Sequence, residues 1–309
     1  MDKRQDTVQI LFKIIAYLIV FTLILPFSVA CQKESDPVSV DLPAPTSTQI
    51  INSPLEVAAV THTPTVQKPT FTPGVDPCWK GGTIYSGSFY SKKLRDDLHY
   101  QVYLPPCYHE YNEERYPVVY LLHGLYFTEE QWLRIGIAEQ MDNLIVEKRV
   151  VPFLIVMPRE ARFKTPPDSD FPDAVVEELV PLVDQQYRTL PEKPYRAIGG
   201  LSRGAAWAVH IGFENPHLFN RVGAHSLALF EADGGKINQW LTEIPAHDLP
   251  QFFIDIGRSD PERISTQNFA DQLDAHQIPH TWYLFIGGHT ETYWSSHLEL
   301  YLQWYAQDW

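Results

Sequence analysis

The chain has 309 residues, 44% hydrophobic and 20% charged, a globular composition that excludes a wholly disordered or fibrous protein. Its 24 basic and 38 acidic residues leave a formal net charge of −14, the wrong sign for gripping a phosphate backbone, so nucleic acid is not an expected partner. Three cysteines, at 31, 78 and 107 with no CxxC pair, are too few for a thiolate zinc cluster.

The N-terminus reads as an export signal rather than as part of the fold. Lys3, Arg4 and Lys13 precede an uncharged run, Ile14 to Leu25, followed by Pro26, Phe27 and the small residues Ser28, Val29 and Ala30 before Cys31. At roughly 12 residues the apolar run falls short of the ~20 that span a bilayer comfortably. A cysteine directly after Ser-Val-Ala is similar to the lipobox of bacterial lipoproteins, with Ser28 standing where Leu is usual. Residues 1–31 are therefore expected to be a signal ending in a lipidated Cys31, with ordinary cleavage and release, or an uncleaved anchor, as the alternatives. All three place the protein outside the cytoplasm, as a cell-surface lipoprotein or a secreted protein whose only membrane contact is this N-terminal anchor.

Residues 32–76 hold seven prolines, eleven Ser or Thr and a single aromatic, Phe71. Such a segment cannot bury enough apolar surface to offset chain entropy, and it reads as a solvated linker reaching on the order of 40 Å. From residue 77 the composition changes, and 77–309 suits one α/β domain. Cys78 and Cys107 both fall early in it. In an oxidising compartment they are expected to form a disulfide, two buried thiols being the alternative.

Along the domain, strand and helix signals alternate. Leu98 to Leu104 alternates as a half-buried strand does, while Val118 to Leu122 and Val151 to Met157 are nearly continuous apolar runs of the kind covered on both faces. Helical spacing runs from Glu129 to Glu147 and from Asp173 to Tyr187. Further strands are predicted at Tyr195 to Gly199, Arg221 to Ser226, Gln251 to Ile256 and Thr281 to Phe285, with a helix over Ser265 to His276 and a last amphipathic segment from Tyr293 to Tyr305. This alternation predicts a mainly parallel twisted sheet with helices on both faces.

Active sites in such sheets form beyond the carboxyl ends of the strands. There the chain reads Gly200-Leu201-Ser202-Arg203-Gly204, a GxSxG between a strand and a helix, the setting of a nucleophile elbow. An ordinary capping serine in a glycine-rich turn is the alternative. A serine hydroxyl needs a base, and His289, in Gly287-Gly288-His289-Thr290 after the last strand, stands where the base belongs in the order serine, acid, histidine. His210, His217, His225, His276 and His297 read as surface or satisfied structural histidines. Asp260, in the loop after FFIDIG, is the expected acid, a helix-capping role being its alternative. Asp255 lies inside a strand, and Glu231 and Asp233 follow an earlier one. The two amides of an oxyanion hole are expected from Arg203 and from Leu125 in the turn His123-Gly124-Leu125-Tyr126.

The chain resembles the putative esterase family of α/β hydrolases, the esterase D and enterochelin-esterase-like group. That group also includes feruloyl esterases, S-formylglutathione hydrolase and mycolyltransferases. The matching stretches are Val102 to Pro106, Tyr116 to Gly124 with Trp132 downstream, Gly200 to Gly204, and Gly287 to His289 with Tyr293 and Trp294. The resemblance implies an α/β-hydrolase fold and an esterase with Ser202 as nucleophile, Asp260 as acid, His289 as base, and the Leu125 and Arg203 amides as oxyanion donors. One departure is the segment Arg159-Glu160-Ala161-Arg162, where relatives often place Asp and Gly.

The expected chemistry is two-step acyl transfer on a small-molecule or glycan-linked ester, with no metal or cofactor. Tyr126, Phe127, Trp132, Phe230 and Trp294 are candidates for an apolar substrate pocket, and Arg162 and Lys164 for contacts with an anionic substrate, ordinary packing and solvated charge being their alternatives. An acyltransferase using the same triad and a non-catalytic surface-binding module are the other functional classes open to this chain.

Overall fold

A computed structural model describes residues 79–309. The export signal at 1–31, Cys31, the linker at 32–76 and Cys78 lie outside the described residues, so the expectations attached to them stand as sequence readings. Among the described residues no helix is long and apolar enough to cross a membrane.

Eight strands form one sheet: β1 (Thr83–Ser91), β2 (Asp96–Leu104), β3 (Val118–Leu122), β4 (Leu154–Pro158), β5 (Arg196–Leu201), β6 (Arg221–His225), β7 (Gln251–Gly257) and β8 (His280–Phe285). Their spatial order is β1-β2-β4-β3-β5-β6-β7-β8. The pairs β1/β2 and β2/β4 are antiparallel and all others parallel. The helices are α1 (Gln131–Arg134), α2 (Ile137–Val146), α3 (Phe171–Asp173, a π turn at Ala174–Leu179, then Val180–Gln186), α4 (Arg203–Glu214), α5 (Glu231–Gly234), α6 (Ile237–Glu243), α7 (Arg263–Ala275), α8 (Glu291–Ser295) and α9 (Leu298–Tyr305).

The continuous apolar runs are strands because both of their faces are covered. In β3, Val118, Tyr120 and Leu122 enter one core with residues of α3, α4, α6 and α7, while Val119 and Leu121 enter a second core with residues of α1, α2 and α9. Successive side chains of a strand point to opposite faces, so a run buried on both must be apolar throughout.

Four elements depart from the sequence reading. Strand β1 was not anticipated. It is an edge strand exposed over most of its length and paired with β2 alone, so it carries no buried periodicity to read. Strand β4 starts at Leu154 rather than Val151, where Pro152 has no N–H to give to a ladder. The helix expected over 129–147 is two helices, broken at Gly136, whose φ of 96° is left-handed. The closing segment 293–305 is likewise two helices, with His297 turning back so that its Nδ1 hydrogen-bonds with the Tyr293 carbonyl at 2.7 Å. The π turn in α3 precedes Pro181, which lacks the N–H that would bond to the Glu177 carbonyl.

Strand order reverses at β3: the chain moves outward from β3 to β4, then returns past β3 to β5. The loops after β3 and β5 therefore flank the topological switch point, the crevice where open α/β sheets place their ligands.

Candidate active site

Ser202 lies between β5 and α4 with φ 56° and ψ −116°, a backbone region that a side chain disfavours. The flanking glycines make this turn sterically possible. A Cβ on Gly200 would stand 2.2 Å from the Gly204 carbonyl carbon, and one on Gly204 2.3 Å from the Leu122 carbonyl oxygen. The elbow is thus folded on itself and pressed against the end of β3, leaving Ser202 at the N-terminus of a 12-residue helix. The Ser202 amide donates to the His225 carbonyl at 2.9 Å, which fixes the turn to β6.

Three strand ends bring the remaining groups to the same place. His289, after β8, has Nε2 2.8 Å from Ser202 Oγ. Its Nδ1 lies 3.0 and 2.9 Å from the two carboxylate oxygens of Asp260, a side chain with no solvent exposure. An ionised carboxylate only accepts, so Nδ1 carries the proton and Nε2 is left to accept from the serine hydroxyl. Asp260 is held by the Glu262 amide, which donates to its Oδ1 at 2.9 Å, and by its own amide, which donates to the Gly257 carbonyl at 3.0 Å. Gly287, at φ 142°, lies where a Cβ would meet the Tyr293 ring at 2.5 Å, so the chain before His289 passes close over α8.

The turn after β3 is equally well fixed. The Gly124 amide donates to Gln131 Oε1 at 2.7 Å and the Phe127 amide to the Gly124 carbonyl at 3.2 Å. His123 bridges two loops: its Nδ1–H donates to the Gly124 carbonyl at 2.8 Å and its Nε2 accepts from the Glu160 amide at 2.9 Å. Burial holds the His123 pKa below its ordinary value, in keeping with a neutral ring that uses one nitrogen to give and the other to take.

A cleft of about 650 Å³ opens beside Ser202 and His289, within the range of small-molecule sites. Phe127, Phe230 and Trp294 supply aromatic walls; Leu125 and Arg203 also line it, with Glu262 and Glu291 as acidic ones. Trp294 meets the His289 ring edge-on at 5.1 Å and donates from Nε1 to Ser226 Oγ at 3.0 Å. Two of the expected pocket residues lie elsewhere. Trp132 is fully buried and donates to the Leu122 carbonyl at 3.1 Å, because its apolar bulk fills the core under α1. Tyr126, at φ 67°, is 79% exposed and is not among the residues lining the cleft; its ring meets that of Phe163 at 5.5 Å.

Several residues that periodicity could not single out complete the site. Gln131 joins the Gly124 amide to Glu291, and Glu291 pairs with Arg134. Glu160, in the segment that departs from relatives, is buried and accepts from Arg203 Nε at 3.0 Å. Their signals are single polar residues far apart in sequence. Of the histidines set aside, His210 pairs with Asp233 at 3.0 Å and His225 with Asp255 at 2.7 Å, both buried. Arg162 pairs with Asp96 on the surface. Among the described residues no group of three or more His, Cys, Asp or Glu side chains could hold a metal ion.

Comparison with known proteins identifies the family and the fold. The family profile described as putative esterase matches residues 91–305. The chain belongs to the putative esterase family. Over 153 residues it is 32% identical to the endo-1,4-beta-xylanase/feruloyl esterase of Xylanibacter ruminicola, an alignment covering 46% of this chain and 21% of that one. The chain thus spans about a fifth of that relative's length. Among solved structures, a ferulic acid esterase superposes with a TM-score of 0.67 at 24% identity, over 74% of this chain and 98% of that one. The CE1 ferulic acid esterase AmCE1/Fae1A from Anaeromyces mucronatus does so at 0.61 and 23%, over 76% and 93%. These superpositions show a shared fold, and the putative esterase described here has the α/β-hydrolase architecture.

Proposed function

We propose that this protein is an exported serine carboxylic-ester hydrolase working through an acyl-enzyme, with esters of aromatic acids such as ferulate as its substrates. The observation that carries the proposal is the convergence of Ser202 Oγ, His289 Nε2 and Asp260 within hydrogen-bonding distance beside an aromatic-walled cleft. The name of the 32%-identical relative supports the acyl group, and Phe127, Phe230 and Trp294 suit a flat ring.

In the first step His289 takes the Ser202 proton as Oγ attacks the ester carbonyl, and Asp260 stabilises the imidazolium. The amides of Leu125 and Arg203 then hold the tetrahedral oxyanion; neither donates to a carbonyl in the turns and loops described, so both are open to a ligand. Collapse breaks the ester C–O bond and the alcohol leaves with the proton from His289. Water, deprotonated by the same nitrogen, attacks the acyl-serine, releasing the acid and restoring Oγ–H. The protein is further proposed to be tethered through lipidated Cys31 and to carry a Cys78–Cys107 bridge. Supporting the bridge, Cys107 is buried in a turn just after β2, where a link would secure the start of the domain.

The test is release of nitrophenol from p-nitrophenyl acetate and of ferulate from methyl ferulate. Ser202→Ala should lower kcat by on the order of 10⁶-fold, and Asp260→Asn by on the order of 10⁴-fold. A folded Ser202→Ala protein that kept wild-type turnover would overturn the proposal. Ferulate appearing on added glycerol in preference to water would make the protein an acyltransferase.

A further inference from the structure

One acidic side chain lies beside the proposed chemistry without entering it. Glu160, in the loop after β4, is buried and is absent from the lining of the cleft. A buried carboxylate is costly unless its oxygens are taken up, and here both are. Oε1 accepts from the amides of Arg162 and Phe163 at 2.9 and 2.7 Å. Oε2 accepts from Arg203 Nε at 3.0 Å, and Arg203 Nη2 donates to the Lys164 carbonyl. The loop is thus fastened to the side chain of the residue that follows the nucleophile.

The two proposed oxyanion donors stand on different supports, which gives this fastening its interest. The Arg203 amide belongs to the first turn of α4 and is fixed by the elbow. The Leu125 amide lies in a turn outside any helix or strand. Two N–H groups stabilise an oxyanion only when both point at one place, and a misplacement of about 1 Å costs on the order of 10²-fold. From Arg203 a continuous path leads to that turn. It runs through the Glu160 carboxylate to the Glu160 amide, which donates to His123 Nε2 at 2.9 Å, and on through His123 Nδ1, which donates to the Gly124 carbonyl at 2.8 Å. The Gly124 carbonyl and the Leu125 N–H share one planar peptide unit, so holding the oxygen aims the hydrogen. A packing contact joins the same two loops, where the Tyr126 ring meets that of Phe163 at 5.5 Å. Gln131 holds the Gly124 amide from α1, a contact that makes no reference to α4.

We propose that Glu160 is a positioning residue for the oxyanion hole: through Arg203 on one side and His123 on the other, it sets the Leu125 amide against the Arg203 amide. The proposal rests on the esterase reading and adds to it a residue that touches no substrate. Loss of the carboxylate then weakens binding of the tetrahedral state and spares binding of the planar ester. Glu160→Gln keeps the size of the side chain and an oxygen for the loop amides, but it turns an NH2 group toward Arg203, donor against donor.

The test uses the full chain as wild type, Glu160→Gln, Arg203→Met and the double variant, with p-nitrophenyl acetate as substrate. Two inhibitors accompany it, a phenylalkyl trifluoromethyl ketone and the methyl ketone of the same carbon chain. Ser202 adds to the fluorinated ketone: the Oγ–C bond forms, the carbonyl π pair moves onto oxygen, and the hydroxyl proton passes to His289, leaving an oxyanion in the hole. The methyl ketone reports binding of the intact carbonyl. Glu160→Gln should lower kcat on the order of 10- to 100-fold with KM unchanged, and raise the inhibition constant of the fluorinated ketone by the same factor. The constant of the methyl ketone should stay where it was. Neither KM nor an inhibition constant depends on how much of a variant folds. The double variant should bind the fluorinated ketone no more weakly than Arg203→Met does, because the two residues act through one contact. A fall in kcat with the fluorinated ketone bound as before, or single losses that add in the double variant, overturns the positioning role and leaves the esterase reading standing. A wild type that hydrolyses neither p-nitrophenyl acetate nor methyl ferulate overturns both.

Discussion

His123 shows how much one ring can be asked to do. Its Nδ1–H is spent on the Gly124 carbonyl and its Nε2 lone pair on the Glu160 amide, so a second proton would set a donor against a donor. Burial already holds its pKa below the usual histidine value of 6.5. The folded state therefore binds that proton less readily than the unfolded chain does. Stability from this residue is present above about pH 6.5 and is lost as the pH falls from there toward the depressed folded value. Urea midpoints measured at pH 7.5 and pH 5 should fall in the wild type and fall less in His123→Gln, whose amide oxygen still accepts without titrating; equal falls would place the acid sensitivity elsewhere. The role of His123-Gly124 as a turn after a buried strand was legible, since it needs only local chemistry. Glu160, 37 residues away, was not, because nothing between the two positions encodes their meeting.

Beneath the site, three elements are locked by a single carboxylate. Asp255 in β7 accepts from Tyr293 of α8 and Tyr301 of α9, each at 2.7 Å, through Oδ2, and bonds His225 of β6 through Oδ1. His225 in turn meets the Tyr305 hydroxyl at 2.9 Å and stacks on Tyr301 at 3.7 Å. Burial, reinforced by Asp255, holds the Tyr301 hydroxyl far above the usual phenol pKa, so it remains a donor. Tyr301→Phe removes one of these donors from a carboxylate that keeps others. It should destabilise the protein by about 1–3 kcal/mol, read as a lower urea midpoint with an unchanged slope. A neutral effect would mean that Asp255 is satisfied without it. The strand position of Asp255 marked it as structural, but its partners lie 30 to 46 residues away and only the packing of α8 and α9 on the sheet names them. Those two helices also read as one, because apolar spacing continues across the turn that separates them.

On the scale of the whole molecule, the sheet order places the loops after β3 and β5 on either side of one crevice, and the later strands deliver Asp260 and His289 to its edge. The proposed Cys78–Cys107 bridge would close a loop of about 30 residues near the start of the domain, a stabilisation of about 3–4 kcal/mol in the chain-entropy account. Reducing the full chain should then lower Tm by about 10 °C, with a 2 Da mass gain per bridge; a Tm and mass indifferent to reductant would show two separate thiols. The acidic balance of the chain disfavours association with anionic surfaces, leaving the N-terminus as the proposed membrane contact.

Buried parallel strands and the residues just past them could be read before any coordinate. A strand covered on both faces must be continuously apolar, and a sharp turn beside it must carry glycine, so Ser202, Asp260 and His289 stood out by position. Solvent-facing β1, the break at Gly136, the burial of Trp132 against the exposure of Tyr126, and the reach of Glu160 to Arg203 and His123 emerged only with the folded chain. Each depends on which side chains from distant segments share a space, and packing, not local spacing, allots that space.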